Sequence, residues 1–312
     1  MPEKLYISPS PHIFENQSTP GMMKDVIIAL TPAIFAALYF FRGKALILLL
    51  VSVGSCLVFE AAIQFLMKKK VTVFDRSAIV TGILLAMVMP PSLPVWACML
   101  GCLIAIGLAK QLFGGLGSNI FNPALLGRAF LMAAFPVFMT RWNMPVTLDA
   151  VTGATPLELV KFGHNLDVNY WNLFIGNVSG SLGETSALAL IIGGVYLLIK
   201  KVIDWRIPLA YVGMVLFINF ITNSVAPETY AGPLFHIATG GLLLGALFMA
   251  TDPVTCPVTK TGRWIFGAGC GLITMIIRIW GGLPEGVMYS ILLMNAITPI
   301  LNRVTRPRRY GT

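Results

Sequence analysis

The residues best suited to chemistry lie in one polar stretch, Asp149-Ala-Val-Thr152-Gly153-Ala154-Thr155-Pro-Leu-Glu158. Threonine followed by proline and then, three positions on, by glutamate is typical of a helix N-terminus. Thr155 would be the N-cap, Pro156 the first helical residue, and Glu158 would close a capping box. A capping box explains neither the small residues before Thr155 nor Asp149, six residues upstream. The stretch therefore predicts a helix N-terminus at which the Thr155 hydroxyl has a function beyond capping.

Ionisable side chains inside apolar runs are a second class of candidates, because a charge in a membrane is costly. Glu60 could line an ion path or contact a partner protein, or it could reach a polar group near the membrane surface. Asp252, in Thr-Asp-Pro, could line an ion or cofactor site or cap a broken helix. Arg278 is expected to extend from its run to the membrane interface or to an anionic ligand. Asn119 and Asn122, in a glycine-rich loop, could ligate a cation or cofactor or belong to a tight re-entrant connection.

Other redox and metal chemistry finds little support in the sequence. The three histidines, 12, 164 and 236, lie in unrelated segments, and the five cysteines, 56, 98, 102, 256 and 270, form no CxxC pair. Cys98 and Cys102 share a helix face but are expected to pack as small apolar residues. No glycine-rich dinucleotide fingerprint follows a strand, so the chain is not expected to run a complete redox reaction alone.

The elements that hold these residues are predicted from composition and hydropathy. Of the 312 residues, 56% are apolar and 11% are charged, whereas a soluble domain carries about 25% charge. Disorder and a disulfide scaffold are excluded by the same figures. The net charge of +9 does not indicate nucleic-acid binding in such a chain, since membrane proteins collect positive residues in their cytoplasmic loops. The N-terminal stretch lacks the apolar core of a signal peptide.

The hydropathy pattern predicts an all-α polytopic membrane protein with about ten transmembrane helices. The expected spans are 24–41, 45–67, 77–90, 94–112, 123–139, 185–200, 207–223, 234–250, 264–280 and 284–302. One long polar loop, 140–184, separates five spans from five. With both termini cytoplasmic, the inner segments would hold 17 of the 22 lysines and arginines and the outer segments four, which places the 140–184 loop outside the cell.

The two halves of the chain resemble each other. The run at 78–91 is similar to that at 236–253, and the run at 99–117 is similar to that at 267–284. Because five spans separate the copies, the second copy enters the membrane from the opposite side, as in inverted repeats. We therefore divide the chain into an N-terminal segment (1–23), a first five-helix repeat (24–139), the outer loop (140–184), a second repeat (185–302) and a basic cytoplasmic tail (303–312).

The stretch around Thr155 resembles the flavin-attachment motif of the NqrB/RnfD family of respiratory membrane subunits, Asp-x-x-Ser/Thr-Gly-Ala-Thr. The segments SPHIFENQSTPGMMKDVIIALTPA (10–33), GGLGSNIFNPALLGRAF (114–130) and FMATDPVTCP (248–257) are similar to further family segments, so the resemblance covers nearly the whole chain. The resemblance implies that Thr155 carries FMN through the FMN phosphate, with Asp149, Thr152, Gly153 and Ala154 as recognition residues. The attaching enzyme would need an exposed hydroxyl group. A phosphate there would also lie at the positive end of a helix dipole.

The family resemblance implies a bacterial inner-membrane component of an ion-translocating (Na⁺ or H⁺) ferredoxin:NAD⁺ oxidoreductase. Its partners would be the A, B, C, E and G subunits of an Rnf complex, with ferredoxin and NAD acting through them, and a flavin transferase for maturation. The resemblance also allows a second, noncovalent flavin (riboflavin or FMN). The short N-terminal region favours the Rnf branch over the B subunit of a Na⁺-translocating NADH:quinone reductase. A secondary transporter without redox function is the alternative from another class, since transporters also use inverted repeats.

Overall fold

A computed structural model describes residues 18–142, 153–163, 170–184, 186–225 and 231–306 of the chain. Regular structure in these ranges is entirely helical. The helices are α1 (Thr19–Leu66), α2 (Ser77–Met87), α3 (Val95–Leu103), α4 (Pro123–Ala134), α5 (Pro136–Met139), α6 (Pro156–Gly163), α7 (Tyr170–Ile175), α8 (Ala187–Ile199), α9 (Arg206–Val225), α10 (Pro233–Ala238), α11 (Leu242–Leu244), α12 (Lys260–Trp280) and α13 (Val287–Val304). Two π-helical stretches, Ile104–Gln111 and Gly245–Met249, continue α3 and α11, and a 3₁₀ turn covers Val73–Asp75.

The described residues on both sides of the 140–184 loop form apolar helices. Four helices, α1, α9, α12 and α13, are long and apolar enough to cross a membrane, and α2, α3, α4 and α8 are shorter apolar helices. The remaining predicted span, 234–250, corresponds to α10 and α11 with the π-helical stretch that follows. The prediction of an all-α polytopic membrane protein is confirmed.

Helix α1 supplies two of the predicted spans. Its 48 residues would extend about 70 Å, more than twice the bilayer core of about 30 Å. The helix is interrupted at Arg42, where φ is 49° and ψ is −128°, between the predicted spans 24–41 and 45–67. It begins at Thr19, five residues before the predicted boundary, because the hydroxyl of Ser18 caps it and Pro20 occupies its first turn.

The predicted span 234–250 is broken in its middle. Helix α10 ends at Ala238, and Gly240 and Gly241 follow with φ values of 66° and 63°. Only glycine adopts this left-handed conformation readily, so the pair ends one helix and starts the next. A membrane helix can be broken only where protein or a cavity satisfies the freed backbone groups. Arg278 from α12 does this here, because its guanidinium donates to the carbonyl groups of His236, Thr239 and Gly240.

The core forms one large apolar cluster and one small one. The large cluster joins residues from both halves, from Met23 to Met294. The small cluster, which we call the outer cluster, consists of Leu157, Val160, Leu173, Ala231 and Phe235. It packs the loop helices α6 and α7 against the start of α10, and thereby fixes the helix that begins after Thr155.

Candidate functional site

Thr155 lies at the start of α6, and the predicted capping box is present. The backbone N–H of Thr155 donates to Oε2 of Glu158 at 2.9 Å, and the backbone N–H of Glu158 donates to Oγ1 of Thr155 at 3.2 Å. The indole N–H of Trp142 donates to the second carboxylate oxygen of Glu158 at 3.3 Å. Gly153 is held in turn by a hydrogen bond from its N–H to the Trp142 carbonyl at 3.2 Å. The position of the Thr155 hydroxyl is therefore well determined.

Helix α6 is also attached to the second half of the chain. The ammonium group of Lys161 donates to the carbonyl groups of Ile277, Gly281 and Leu283, at 3.0, 2.6 and 2.8 Å. These carbonyls are at and just beyond the C-terminal end of α12, where a helix leaves acceptors unpaired and favours a positive charge. Burial lowers the pKa of Lys161. Together with the outer cluster, this contact joins the Thr155 helix to α12.

Thr155 is buried, with 5% of its surface exposed, so the expectation of an exposed hydroxyl is wrong for the folded chain. The residue lines a cleft of about 310 Å³ together with Ser179, Gly180, Glu184, Gly240 and Glu285. The capping box and the outer cluster hold Thr155 in a buried position. The small neighbours Gly153 and Ala154 do not predict this burial from the sequence. Ala154 is exposed and Gly153 half-buried. The predicted recognition residues Asp149 and Thr152 fall outside the described residues.

Glu60 has the polar partner that one of its two interpretations required. Its carboxylate is fully buried, and Oε1 accepts from Lys110 at 2.6 Å, Gln111 at 3.0 Å and Gln64 at 3.2 Å. Lys110 also donates to the hydroxyl of Ser77 at 2.6 Å. The second carboxylate oxygen of Glu60 has no hydrogen-bond partner in the part of the chain that the structure describes. Lys110 lies in the predicted span 94–112, and the charge distribution counts it among the inner segments. It is one half of a buried ion pair.

Asp252 borders a larger cleft, which we call the Asn119 cleft. Its volume is about 770 Å³ out to its open mouth, and its polar lining includes Ser77, Thr81, Lys110, Asn119, Asn122, Thr251 and Asp252. Asp252 accepts from the N–H of Val254 at 3.3 Å and from the Thr255 hydroxyl at 3.1 Å, so it caps the turn after the broken helix. This agrees with its structural interpretation and leaves the ion or cofactor role untested.

The two asparagines of the glycine-rich loop have different surroundings. Asn122 caps α4 through hydrogen bonds from the N–H groups of Ala124 and Leu125, and its amide donates to the Met249 carbonyl at 3.2 Å. Asn119 donates to the Phe121 carbonyl at 3.3 Å, but its buried carbonyl oxygen has no hydrogen-bond partner among the described residues. The Asn119 cleft therefore contains an acceptor that the described part of the chain does not use.

Arg278 lies inside the protein. It is 4% exposed, and its carbonyl contacts at the helix break hold its guanidinium there. Its extension to the membrane interface or to an anionic ligand stays a prediction. The sequence pattern does not predict the carbonyl contacts, because they form between α10 and α12, and only the tertiary structure shows that these two helices meet.

A buried charged group lies beside the Thr155 cleft, and the sequence pattern does not predict it. The guanidinium of Arg128 hydrogen-bonds to Glu285 and lies 3.7 Å from a carboxylate oxygen of Glu184. These side chains are 6%, 18% and 8% exposed for Arg128, Glu285 and Glu184. The charge distribution counts Arg128 among the inner segments, but a buried Arg128, like a buried Lys110, carries no information on orientation. The one available signal is the position of Arg128 inside a predicted span, where a charge requires a partner.

Metal sites find no support in the described part of the chain, where no group of three or more histidine, cysteine, aspartate or glutamate residues could hold an ion. All five cysteines are buried thiols. Cys98 and Cys102 pack in the core as expected, with the Cys102 sulfur 3.4 Å from the Ser52 hydroxyl.

Comparison with known proteins identifies the family. The model of the NQR2, RnfD, RnfE family matches residues 6–311. The chain is 48% identical to the D subunit of the Na⁺-translocating ferredoxin:NAD⁺ oxidoreductase complex of Acetobacterium woodii, over 98% of this chain and 95% of the relative. It is 42% identical to the D subunit of the proton-translocating ferredoxin:NAD⁺ oxidoreductase complex of Clostridium ljungdahlii, over 98% and 96%. It is 37% identical to the D subunit of the ion-translocating oxidoreductase complex of Escherichia coli K12, over 98% of both chains. The resemblance inferred from sequence is thereby confirmed, and the chain belongs to the NQR2, RnfD, RnfE family.

Proposed function

We propose that this chain is the D-type membrane subunit of an ion-translocating ferredoxin:NAD⁺ oxidoreductase and carries electrons through FMN attached to Thr155. Full-length identity to relatives bearing that name supports the first part. The observation that carries the second is the Thr155 hydroxyl, placed at a helix N-terminus and facing a cleft. A phosphate on that oxygen would lie at the positive end of α6.

The residues around Thr155 fit a phosphoryl group better than a whole flavin. The cleft is small, since its volume of about 310 Å³ includes the open space at its mouth. The described residues would therefore hold the phosphate end and leave the ring system outside the cleft. Bound FMN supplies one- and two-electron chemistry, while the chain contributes the hydroxyl, the capping box that orients it and the helix end that stabilises the phosphate.

The Asn119 cleft is the place we propose for a second, noncovalent flavin. Its walls combine apolar side chains with a few polar groups, which is the kind of lining that cofactor sites have. The carbonyl oxygen of Asn119, which has no partner among the described residues, would accept from a ring N–H. Riboflavin or FMN would satisfy these requirements.

The same face of the protein carries the proposed ion path. Asp252 and Lys110 both line the Asn119 cleft, and Glu60 pairs with Lys110. The unpartnered carboxylate oxygen of Glu60 is the ligand type that both Na⁺ and H⁺ require. Glu60 and Asp252 would then be two ion-binding positions beside the cleft. Glu60 is the buried position, and Asp252 is the position at the edge of the cleft.

The chain would lie in the bacterial inner membrane with both termini in the cytoplasm and the Thr155 loop outside. Its partners would be the A, B, C, E and G subunits of the complex, with ferredoxin and NAD bound by those subunits. Because Thr155 is buried in the folded chain, a flavin transferase must act before α6 packs against α10 or must displace it.

Flavin attachment is tested by expressing the full chain with a flavin transferase and viewing the denatured protein on a gel under ultraviolet light. Wild type should fluoresce and Thr155→Val should not, since valine keeps the shape of threonine but has no hydroxyl. Thr140→Val removes an exposed hydroxyl next to the loop and should fluoresce like wild type.

A dark wild-type band would contradict the electron-carrier role and leave the redox-free transporter as the better explanation. A fluorescent Thr155→Val band would place the flavin on another residue. The quinone-reductase alternative is separated by the acceptor: the assembled complex should reduce NAD⁺ with ferredoxin and should not reduce quinone.

A further inference from the structure

Arg128, Glu184 and Glu285 combine two carboxylates with one contacting guanidinium. Arg128 contacts both carboxylates. A second guanidinium, that of Arg278, acts on both glutamates from further away and is engaged with backbone carbonyls. Two carboxylates that share one contacting guanidinium disfavour each other's ionised form, because like charges repel. This pair of carboxylates is therefore the place in the group that is suited to hold a proton.

The location of the group connects it to the flavin site. Glu184, Gly240 and Glu285 line the Thr155 cleft, and the same three residues line a second cavity of about 270 Å³ that reaches inward to Val88 and Met249. The two glutamates therefore stand between the Thr155 hydroxyl and the interior of the helical bundle. Glu184 packs closely against the helix break, since a Cβ atom on Gly241 would lie 2.8 Å from its carboxylate oxygen.

Ser181 contacts the Glu184 carboxyl group. Its side chain is fully buried and faces the carboxylate, and its backbone N–H lies 3.4 Å from Oε2 of Glu184. Hydrogen bonds from Ser181 favour the ionised form of Glu184 and oppose the effect of burial.

We propose that Glu184 is a proton-binding site coupled to the redox state of the flavin on Thr155. The proposal rests on the proposed flavin attachment. A flavin attached to Thr155 would take one electron from a reduced carrier in a partner protein, and a carboxylate oxygen of Glu184 would take one proton from water to offset that charge. The proton would return to water when the electron is passed on. Arg128 holds the Glu184 carboxyl group beside Glu285.

The charged groups around Glu184 agree with this assignment. Burial, and then the neighbouring Glu285 carboxylate, raise the pKa of Glu184 to about 7, against a smaller opposing effect of Arg128. Arg278 of α12 acts on both glutamates from further away and is engaged with backbone carbonyls, and His236 of α10 lies near Arg278. A phosphodiester on Thr155 would add a negative charge and favour the proton further.

The proposal is tested by infrared spectroscopy on the full chain, expressed with a flavin transferase. Reduction of the flavin with dithionite should produce the band of one protonated carboxyl group per chain, shifted in D₂O. The band should be absent from Glu184→Gln. The band should remain in Asp204→Asn. This control removes a carboxylate that pairs with Arg206 and Arg263 and does not belong to the group that contains Arg128.

A second variant keeps the test decisive if Glu184→Gln fails to fold. Glu285→Gln leaves Glu184 as the one carboxylate that contacts Arg128. The pKa of Glu184 therefore falls, and the infrared band of the protonated carboxyl group should appear only at lower pH. Thr155→Val carries no attached flavin, so its carboxyl groups can be titrated independently of the flavin. Infrared spectra of this variant between about pH 5 and about pH 9 should show one carboxyl group titrating near neutrality. The same titration should be absent from Glu184→Gln.

Three results would overturn the proposal: a band that persists in Glu184→Gln, no carboxyl group titrating near neutrality in Thr155→Val, or a signal that follows Na⁺ concentration at fixed pH. The two proposals fail in different ways. A non-fluorescent wild-type chain contradicts flavin attachment. A fluorescent chain without the carboxyl signal contradicts only the role of Glu184.

Discussion

Buried charged side chains in this protein are not solvated by water, so other side chains must neutralise their charge. Glu60 and Lys110 are both buried and contact each other at 2.6 Å, so each neutralises the other. The remaining amide and hydroxyl groups, from Gln64, Gln111 and Ser77, satisfy further hydrogen bonds. Removing one member of such a pair is costly, whereas removing both is much less so.

The first prediction concerns this ion pair. Lys110→Met should lower the free energy of unfolding by about 3–5 kcal/mol, because it leaves Glu60 buried and uncompensated. The double variant Glu60→Gln, Lys110→Met should recover most of this loss, and thermal unfolding in detergent measures both. A Lys110→Met protein as stable as wild type would show that Glu60 is already protonated.

The same double variant also separates the two interpretations of Glu60. Incorporated into the complex in vesicles, it should transport ions more slowly than wild type if Glu60 lies on the ion path. Normal transport by a stable double variant would assign the pair to structure alone.

Helices pack closely here at positions where a glycine removes the side chain. Gly193 of α8 lies against α1, and a Cβ atom there would lie 2.0 Å from the Ala29 carbonyl oxygen. Gly213 of α9 has nothing within 4 Å of the same position. In membranes, small residues at interfaces allow the backbones to approach, because lipid provides little apolar driving force between helices.

These two glycines form a matched pair for a second prediction. Gly193→Ala should destabilise the protein by about 1–3 kcal/mol, the usual cost of overpacking. Gly213→Ala should be neutral or stabilise by up to about 1 kcal/mol, since alanine restricts the unfolded chain and favours the helix. Thermal midpoints in detergent compare the two, and equal midpoints would mean that α1 and α8 do not pack as described.

At the scale of the whole molecule, the property that function depends on is the orientation in the membrane. The distribution of lysines and arginines predicts that the loop lies outside the cell, and the prediction stays the same when the buried Lys110 and Arg128 are set aside. All five native cysteines are buried, so an introduced cysteine can be labelled against a low background.

The third prediction uses one residue on each proposed side. Phe162 on α6 is 60% exposed, and Lys260 at the start of α12 is exposed. Phe162→Cys should react with a membrane-impermeant maleimide in intact cells, whereas Lys260→Cys should react only after lysis. The reverse pattern would invert the topology and place the Thr155 loop in the cytoplasm.

The sequence by itself determined the helical membrane class, the number of apolar segments, the capping box at Thr155 and the family. These properties follow from local composition and short spacing, which tertiary contacts do not alter. Only the tertiary structure decided that Thr155 is buried, that Arg278 satisfies a broken helix, and that Glu60 pairs with Lys110. It alone brought Arg128, Glu184 and Glu285 together, from positions up to 157 residues apart. A single sequence does not encode such distant pairings in any local pattern, because burial and ion pairing depend on which helices meet.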